Sequence, residues 1–356
     1  MPPMEGFIAP GFEAVAAAFA VEPRGGSALT VLRHGEPVVD VREGWRDPAH
    51  SLPWDENTLV NVYSVGKPIL AAAVLILAGR GLIDISAPTA AYWPSFQTKA
   101  TVRDLLAHLA ALPSFPVERP VAAWSDWDLL CADLAAATPE WEPGTVAAEH
   151  AMTYGHLLGE VVRRVDGRPP AQFVRDEIGP DLGFALSDAD MSRCADLEFE
   201  SPGWPAQTLG EPGSVHARAV SNPPGARDLA VLNSPLWRRA AVPAINTHTS
   251  SRAMAQFYAD VLAGRLPALA VPQYTGFDRF LDSDVTWGFG VQIEADGTWG
   301  QGGLGGNAAW ADPARGLAIA YVTRRLGDFD AVDRIEETLA QLPADSSHAA
   351  RPAADS

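Results

Sequence analysis

The chain has 356 residues, 47% of them hydrophobic and 20% charged, which excludes a wholly disordered chain and fits one large domain or two ordinary ones. Aspartate and glutamate number 44 against 26 lysines and arginines, a formal charge of −18. Such a field repels phosphate backbones and anionic lipid headgroups, which makes nucleic acid and membrane surfaces poor partners and leaves open a small neutral or cationic substrate.

Cys131 and Cys194 are too few for a disulfide framework and lack metal-ligand spacing. Residues 1–10 show no basic head followed by an apolar core, so no secretion signal is read there. The longest apolar run, from Ile69 to Ala78, is about half of a bilayer span and reads as a buried helix. The expectation is a cytoplasmic protein.

In chain order, Gly11 to Ala20 carries Phe12, Val15, Ala16 and Phe19 at helical spacing. Ser27 to Arg33 and Pro37 to Arg42 read as strands around a His34-Gly35-Glu36 hairpin. A long apolar helix follows from Val65 to Gly79, ended by Gly81. Between Ser86 and Arg239 helical patterns recur at Val102 to Ala110, Asp126 to Ala137, Thr153 to Val165 and Ala171 to Ile178. Ser201 to Ala226, aperiodic and rich in Pro, Gly and Ser, reads as a long surface loop. Strand character returns at Gly288 to Glu294, Asn307 to Ala311 and Leu317 to Val322, before a last helix from Phe329 to Leu342. The order implies a sheet completed by both ends of the chain with a helical insert between them. Residues 1–85 and 240–342 are assigned to an α/β sheet domain, 86–239 to a mostly helical domain, and 343–356 to a disordered tail.

The pattern with most chemistry is Ser64-Val65-Gly66-Lys67 at the start of the apolar helix. Three residues is nearly one turn, so hydroxyl and amine share a face. Ser64, read as the helix N-cap, would sit where backbone N–H groups favour a developing anion. Burial of Lys67 lowers its pKa toward that of a working base, so the pair fits acyl transfer by a serine nucleophile. Pro68 disfavours helical geometry at Lys67, but at the first turn the cost is small.

Asn61-Val62-Tyr63-Ser64-Val65-Gly66-Lys67, Gly81-Leu82-Ile83-Asp84, Tyr92-Trp93-Pro94 and Val102 to His108 together resemble the serine β-lactamase-like hydrolases. That superfamily holds class C β-lactamases, penicillin-binding proteins, family VIII carboxylesterases and related transacylases. The resemblance runs from about residue 6 to 342 and implies the β-lactamase/transpeptidase-like fold. In that fold an antiparallel sheet flanked by helices joins an all-α domain, with the active site in the cleft and no metal or organic cofactor.

The chain departs from the pattern twice. The family's second catalytic element is a tyrosine between a Pro-Gly-Thr turn and a Leu-Gly-Glu helix. Register from Pro143-Gly144-Thr145 and Leu158-Gly159-Glu160 puts Glu149 there, while Tyr154, five residues on, reads as packing. A carboxylate would hold Lys67 as an ammonium, and Glu149 either acts as base, directly or through a water, or merely pairs with Lys67 and disables the site. The third element, Lys-Thr-Gly or His-x-Gly, is replaced at Gln301-Gly302-Gly303. Gln301 hydrogen-bonds but supplies no charge, which argues against an anionic carboxylate in the substrate. Gly302 and Gly303 admit a close approach of the acyl group, and by the family pattern the Ser64 and Leu304 amides form the oxyanion hole. The G-x-G-x-x-G from Gly300 to Gly305 leads into a strand, so it is not a dinucleotide fingerprint.

Tyr63, His156 and Asn246 are further candidates for lining the substrate site, and His108 for supporting it from behind. The tryptophans read as core or cleft walls. No histidine pair has zinc-helix spacing. The leading expectation is hydrolysis of a small ester or amide through an acyl-enzyme on Ser64. Acyl transfer or cyclisation in specialised metabolism, and a non-catalytic binding protein on a retired scaffold, are the alternatives.

Overall fold

The computed structural model describes residues 4–21 and 25–343. The chain opens with β1 (Glu5–Ile8), α1 (Glu13–Ala20), β2 (Gly26–Arg33), β3 (Glu36–Gly44), β4 (Val60–Asn61) and α2 (Lys67–Gly79). A helical stretch follows: α3 (Val102–Leu106), α4 (Trp127–Ala135), α5 (Tyr154–Asp166), α6 (Pro170–Glu177), β5 (Leu182–Gly183), α7 (Asp188–Met191) and β6 (Glu198–Phe199). Then come α8 (Trp204–Gln207), α9 (Val215–Ala219), α10 (Leu229–Leu232), α11 (Pro235–Arg239), β7 (His248–Thr249) and α12 (Ser251–Leu262). The chain returns through β8 (Tyr274–Asp278), β9 (Ser283–Trp287), β10 (Gln292–Ile293), β11 (Trp299–Gly303), β12 (Asn307–Asp312), β13 (Leu317–Thr323), β14 (Arg325–Leu326) and α13 (Asp330–Ala340).

Nine strands form one antiparallel sheet in the order β1-β3-β2-β13-β12-β11-β10-β9-β8. The join between the two ends of the chain is the β2–β13 pairing, seven residues long from Leu317↔Arg33 to Thr323↔Ser27. Strand β13 shows why both faces are covered. Leu317, Ile319 and Tyr321 pack with Val15, Phe19, Ile335 and Leu339 of α1 and α13. The alternate residues Ala318, Ala320 and Val322 face the larger core with α2 and α12, as the two-residue period of a strand requires. Alanines on that face let α12 lie against β2, β12 and β13. The hairpin between β2 and β3 turns on His34 and Gly35, both at positive φ (51° and 85°), the conformation that matches strand twist in a two-residue turn.

Several elements differ from the sequence reading. The helix expected to Ala110 stops at Leu106, because His108 and Ala111 adopt φ of 62° and 56°, which ends helical hydrogen bonding. The strand expected over Gly288 to Glu294 is reduced to Gln292–Ile293, with Gly290 at φ 71° breaking it. Strands β8, at the sheet edge, and β9 beside it were not expected; each buries only its last residue and lacks an apolar stripe. Ser201 to Ala226 is more than a surface loop, since it carries α8 and α9 and buries Trp204, Ala219, Val220 and Ala226. Most of the tail expected to be disordered, 344–356, lies outside the described residues.

Candidate active site

Ser64 sits where the sheet end, α2 and the helical stretch converge. The Val62 amide donates to Thr247 O at 2.9 Å, bringing the incoming chain up against β7. Tyr63 then adopts φ 50°, a left-handed conformation that costs a bulky residue free energy and persists only where its surroundings hold it. Here the ring is buried and its hydroxyl donates to Ala226 O at 3.1 Å. Residues Tyr63–Gly66 form a 3₁₀ turn, and α2 begins at Lys67 with Gly66 as its N-cap. Ser64 is therefore not the cap of an α-helix, as the sequence reading had it, but the exposed point of the turn before one. Between Thr58 and Val74 it alone is not buried. Lys67 keeps φ −57° and ψ −43° although a proline follows, because Pro68 in the first turn removes no needed N–H.

The Lys67 ammonium is fully buried and donates to Ser64 Oγ at 2.5 Å. On its other side Nζ lies 2.9 Å from Glu149 Oε1. Burial pushes the Lys67 pKa down, while the charge and hydrogen bond of Glu149 hold it up; burial is the larger effect. Gln301 Nε2 donates to the same Glu149 Oε1 at 3.3 Å. The Glu149 backbone is itself fixed, its amide donating to Asp278 Oδ1 at 3.2 Å. Asp278 is a buried hub that also accepts from the Phe280 and Leu281 amides and from Trp287 Nε1. Burial raises its pKa, with the nearby Glu149 adding to the rise and its N–H donors opposing. His108 is buried behind this row, its ring 4.4 Å from Tyr154 and 4.3 Å from Trp287, and its Nδ1 accepts from the His150 amide at 3.1 Å.

A cavity of about 340 Å³ opens over Ser64 and is walled mainly by apolar side chains. Tyr63, Ser64, Glu149, Gln301, Gly302, Gly303 and Leu304 all line it. Tyr154 does not; it is buried with its hydroxyl donating to Leu106 O at 3.0 Å. Two sequence-based candidates are corrected. His156 is fully buried and stacked on Trp127 at 4.6 Å, away from the cavity, because α5 turns that face inward. Asn246 is fully buried and ties its own loop, accepting from the Val242 amide and donating to Trp237 O and Ala240 O. Aromatic walls come from Tyr63, Phe280 and Phe329, and no tryptophan is among the lining residues. His216, Phe280, Arg227 and the hub Asp278 escaped the sequence reading; they come from the short helix α9, from loops or from the edge strand β8. Among the described residues no group of three or more His, Cys, Asp or Glu is placed to hold a metal. No helix of the described residues is long and apolar enough to cross a membrane.

Fold and site together define a class, the serine hydrolases of β-lactamase type. The family model described as Beta-lactamase matches residues 13–342, and the chain belongs to that family. It is 31% identical over 343 residues to the "Esterase/beta-lactamase LipL" of Mycobacterium tuberculosis, covering 85% of this chain and 77% of that protein. The fold superposes on a family VIII carboxylesterase with a TM-score of 0.85 and 28% identity, over 96% of this chain and all of the other. A penicillin-binding protein homologue from Caulobacter crescentus gives a TM-score of 0.84 and 29% identity with the same coverage.

Proposed function

We propose that the chain is a carboxylesterase-like hydrolase that forms an acyl-enzyme on Ser64 and releases a small acid from an ester. The observation that carries this reading is the unbroken row Ser64 Oγ–Lys67 Nζ–Glu149 Oε1, at 2.5 and 2.9 Å, on the floor of an apolar cavity.

Lys67 stands between the other two, so Glu149 acts through it. With Lys67 present as the unprotonated amine, it accepts the proton of Ser64 as Oγ attacks the ester carbon, and the Glu149 carboxylate supports the ammonium that forms. The carbonyl oxygen takes the negative charge and faces the Ser64 and Leu304 amides. Strand β11 can bring Leu304 there because Gly303 has no side chain; a Cβ at 303 would lie 2.2 Å from Val62 O. The Lys67 ammonium then gives its proton to the departing alkoxide, and the alcohol leaves. In the second half a water gives its proton to the same pair and attacks the acyl carbon, and Ser64 recovers its proton. The apolar walls favour a second reading of this step, in which an alcohol or amine replaces the water and the acyl group is transferred.

The test is intact-protein mass spectrometry after exposure to short-chain p-nitrophenyl esters and a fluorophosphonate, with Ser64→Ala as control. The expected result is one adduct on the wild type and none on the variant. A folded wild-type protein that no probe labels would overturn the hydrolase reading in favour of a binding scaffold.

A further inference from the structure

Arg227 lines the cavity over Ser64 from the loop before α10. Its neighbour Ala226 accepts the hydroxyl hydrogen bond of Tyr63, the residue preceding the nucleophile. Arg227 Nε donates to Thr208 Oγ1 at 2.7 Å, Nη2 to Thr208 O at 3.0 Å and Nη1 to Val220 O at 2.8 Å. All three partners are neutral. A guanidinium carries five N–H donors, so two remain, one on each terminal nitrogen.

The contrast with the other arginines is informative. Arg119, Arg163, Arg168 and Arg193 each lie against a carboxylate, which raises their pKa. Burial instead lowers that of Arg227, with only Tyr63 in opposition. Among the described residues no carboxylate lies within ion-pair distance of it. Glu149 and Lys67 cancel one another, so the cavity keeps one positive charge in a chain of formal charge −18. A half-buried cation without a counter-ion has lost part of its hydration, and an incoming anion offsets that loss.

We propose that Arg227 reads a carboxylate on the substrate, so that the preferred substrates are esters bearing a free carboxylate, such as monoesters of dicarboxylic acids. This rests on the reading of Ser64 as the acylated nucleophile. It reverses the expectation drawn from Gln301: the charge missing from β11 is supplied by Arg227, which lines the same cavity.

Two matched ester pairs test it. One carries the charge on the acyl half, mono-p-nitrophenyl glutarate against p-nitrophenyl pentanoate. The other carries it on the alcohol half, 3-acetoxybenzoate against 3-acetoxybenzamide. In at least one pair the wild type should favour the anion about tenfold to a hundredfold in kcat/KM, the range of a charge-assisted hydrogen bond. Arg227→Gln should erase that ratio, and Arg227→Lys should retain part of it. The same esters are titrated by calorimetry into Ser64→Ala and Ser64→Ala/Arg227→Gln, where binding is read without turnover. Equal binding of both members of each pair to Ser64→Ala would overturn the proposal. So would an Arg227→Gln variant that loses activity on both members alike, the mark of a clamp between residues 208 and 220. If the wild type turns over nothing while the binding preference holds, the hydrolase reading fails and the carboxylate site stands.

Discussion

Glu149→Gln removes a charge while keeping shape, and its effect follows from the geometry. At 2.9 Å and an effective dielectric near 20, the Lys67–Glu149 attraction is about 6 kcal/mol. The glutamine oxygen still accepts from Lys67, which returns about 1–2 kcal/mol. The net loss of support for the ammonium formed in the transition state is therefore about 4 kcal/mol, or roughly 10³ in kcat/KM. That lies within the range for loss of a general base. The pH profile carries a second signature. Burial pushes the Lys67 pKa down, and the charge and hydrogen bond of Glu149 hold it up. With glutamine only the downward push remains, so the amine stays unprotonated to lower pH and the acidic limb of kcat/KM moves down the pH axis. The assay is a pH series of acylation rates on a p-nitrophenyl ester, with thermal melts to show that the variant folds. Acylation within threefold of wild type, or an acidic limb that stays put or moves up, would refute the relay.

Two further outcomes are expected. Gly303→Ala places a Cβ 2.2 Å from Val62 O and 2.9 Å from Val65 Cγ2, so β11 must retreat from the Ser64 turn; acylation should fall by about a hundredfold, as for loss of one oxyanion donor, with the melting temperature lowered by only a few degrees. His156 is buried with both ring nitrogens lacking partners among the described residues, so His156→Phe should stabilise by about 1 kcal/mol and leave kcat/KM within twofold, whereas a fall in activity would restore it to the substrate site. The same variant has a pH signature. Burial lowers the pKa of His150, His156 and His248 to about 3 and pushes that of His108 well down as well, so below about pH 6.5 the unfolded chain binds protons the native state refuses. Stability is fully present above that pH and drains away toward pH 3, at about 1.4 kcal/mol per unit for each histidine. Urea midpoints should show that slope in the wild type, and His156→Phe should reduce the histidine part of it by about one quarter.

Parts of this molecule were legible because they rest on local rules. The alternation Leu317, Ile319, Tyr321 on one face of β13 marks a strand covered on both sides, and Ser64 and Lys67 meet because three residues make most of a turn. Strands β8 and β9 were missed because a half-exposed hairpin at the end of a sheet needs no apolar stripe. Arg227 and Asp278 were missed because their partners lie far along the chain: Arg227 reaches back to Thr208, and Asp278 Oδ1 accepts the Glu149 amide across 129 positions. His156 and Asn246 were placed in the wrong surroundings because register along a chain gives neighbourhood, not direction. The two departures from the family pattern, Glu149 for tyrosine and Gln301 for a cation or histidine, looked independent in the sequence. In space they touch, Gln301 Nε2 to Glu149 Oε1 at 3.3 Å, and the chemistry of one constrains the other. A lysine at 301 would bring a second ammonium to an oxygen already bound by Lys67. It would compete for the carboxylate and hold the Lys67–Glu149 proton in the unreactive, fully charged arrangement. A neutral amide donates to that oxygen without adding charge. The residues at 149 and 301 are therefore coupled through one contact, and a neutral side chain at 301 leaves the carboxylate's charge to Lys67.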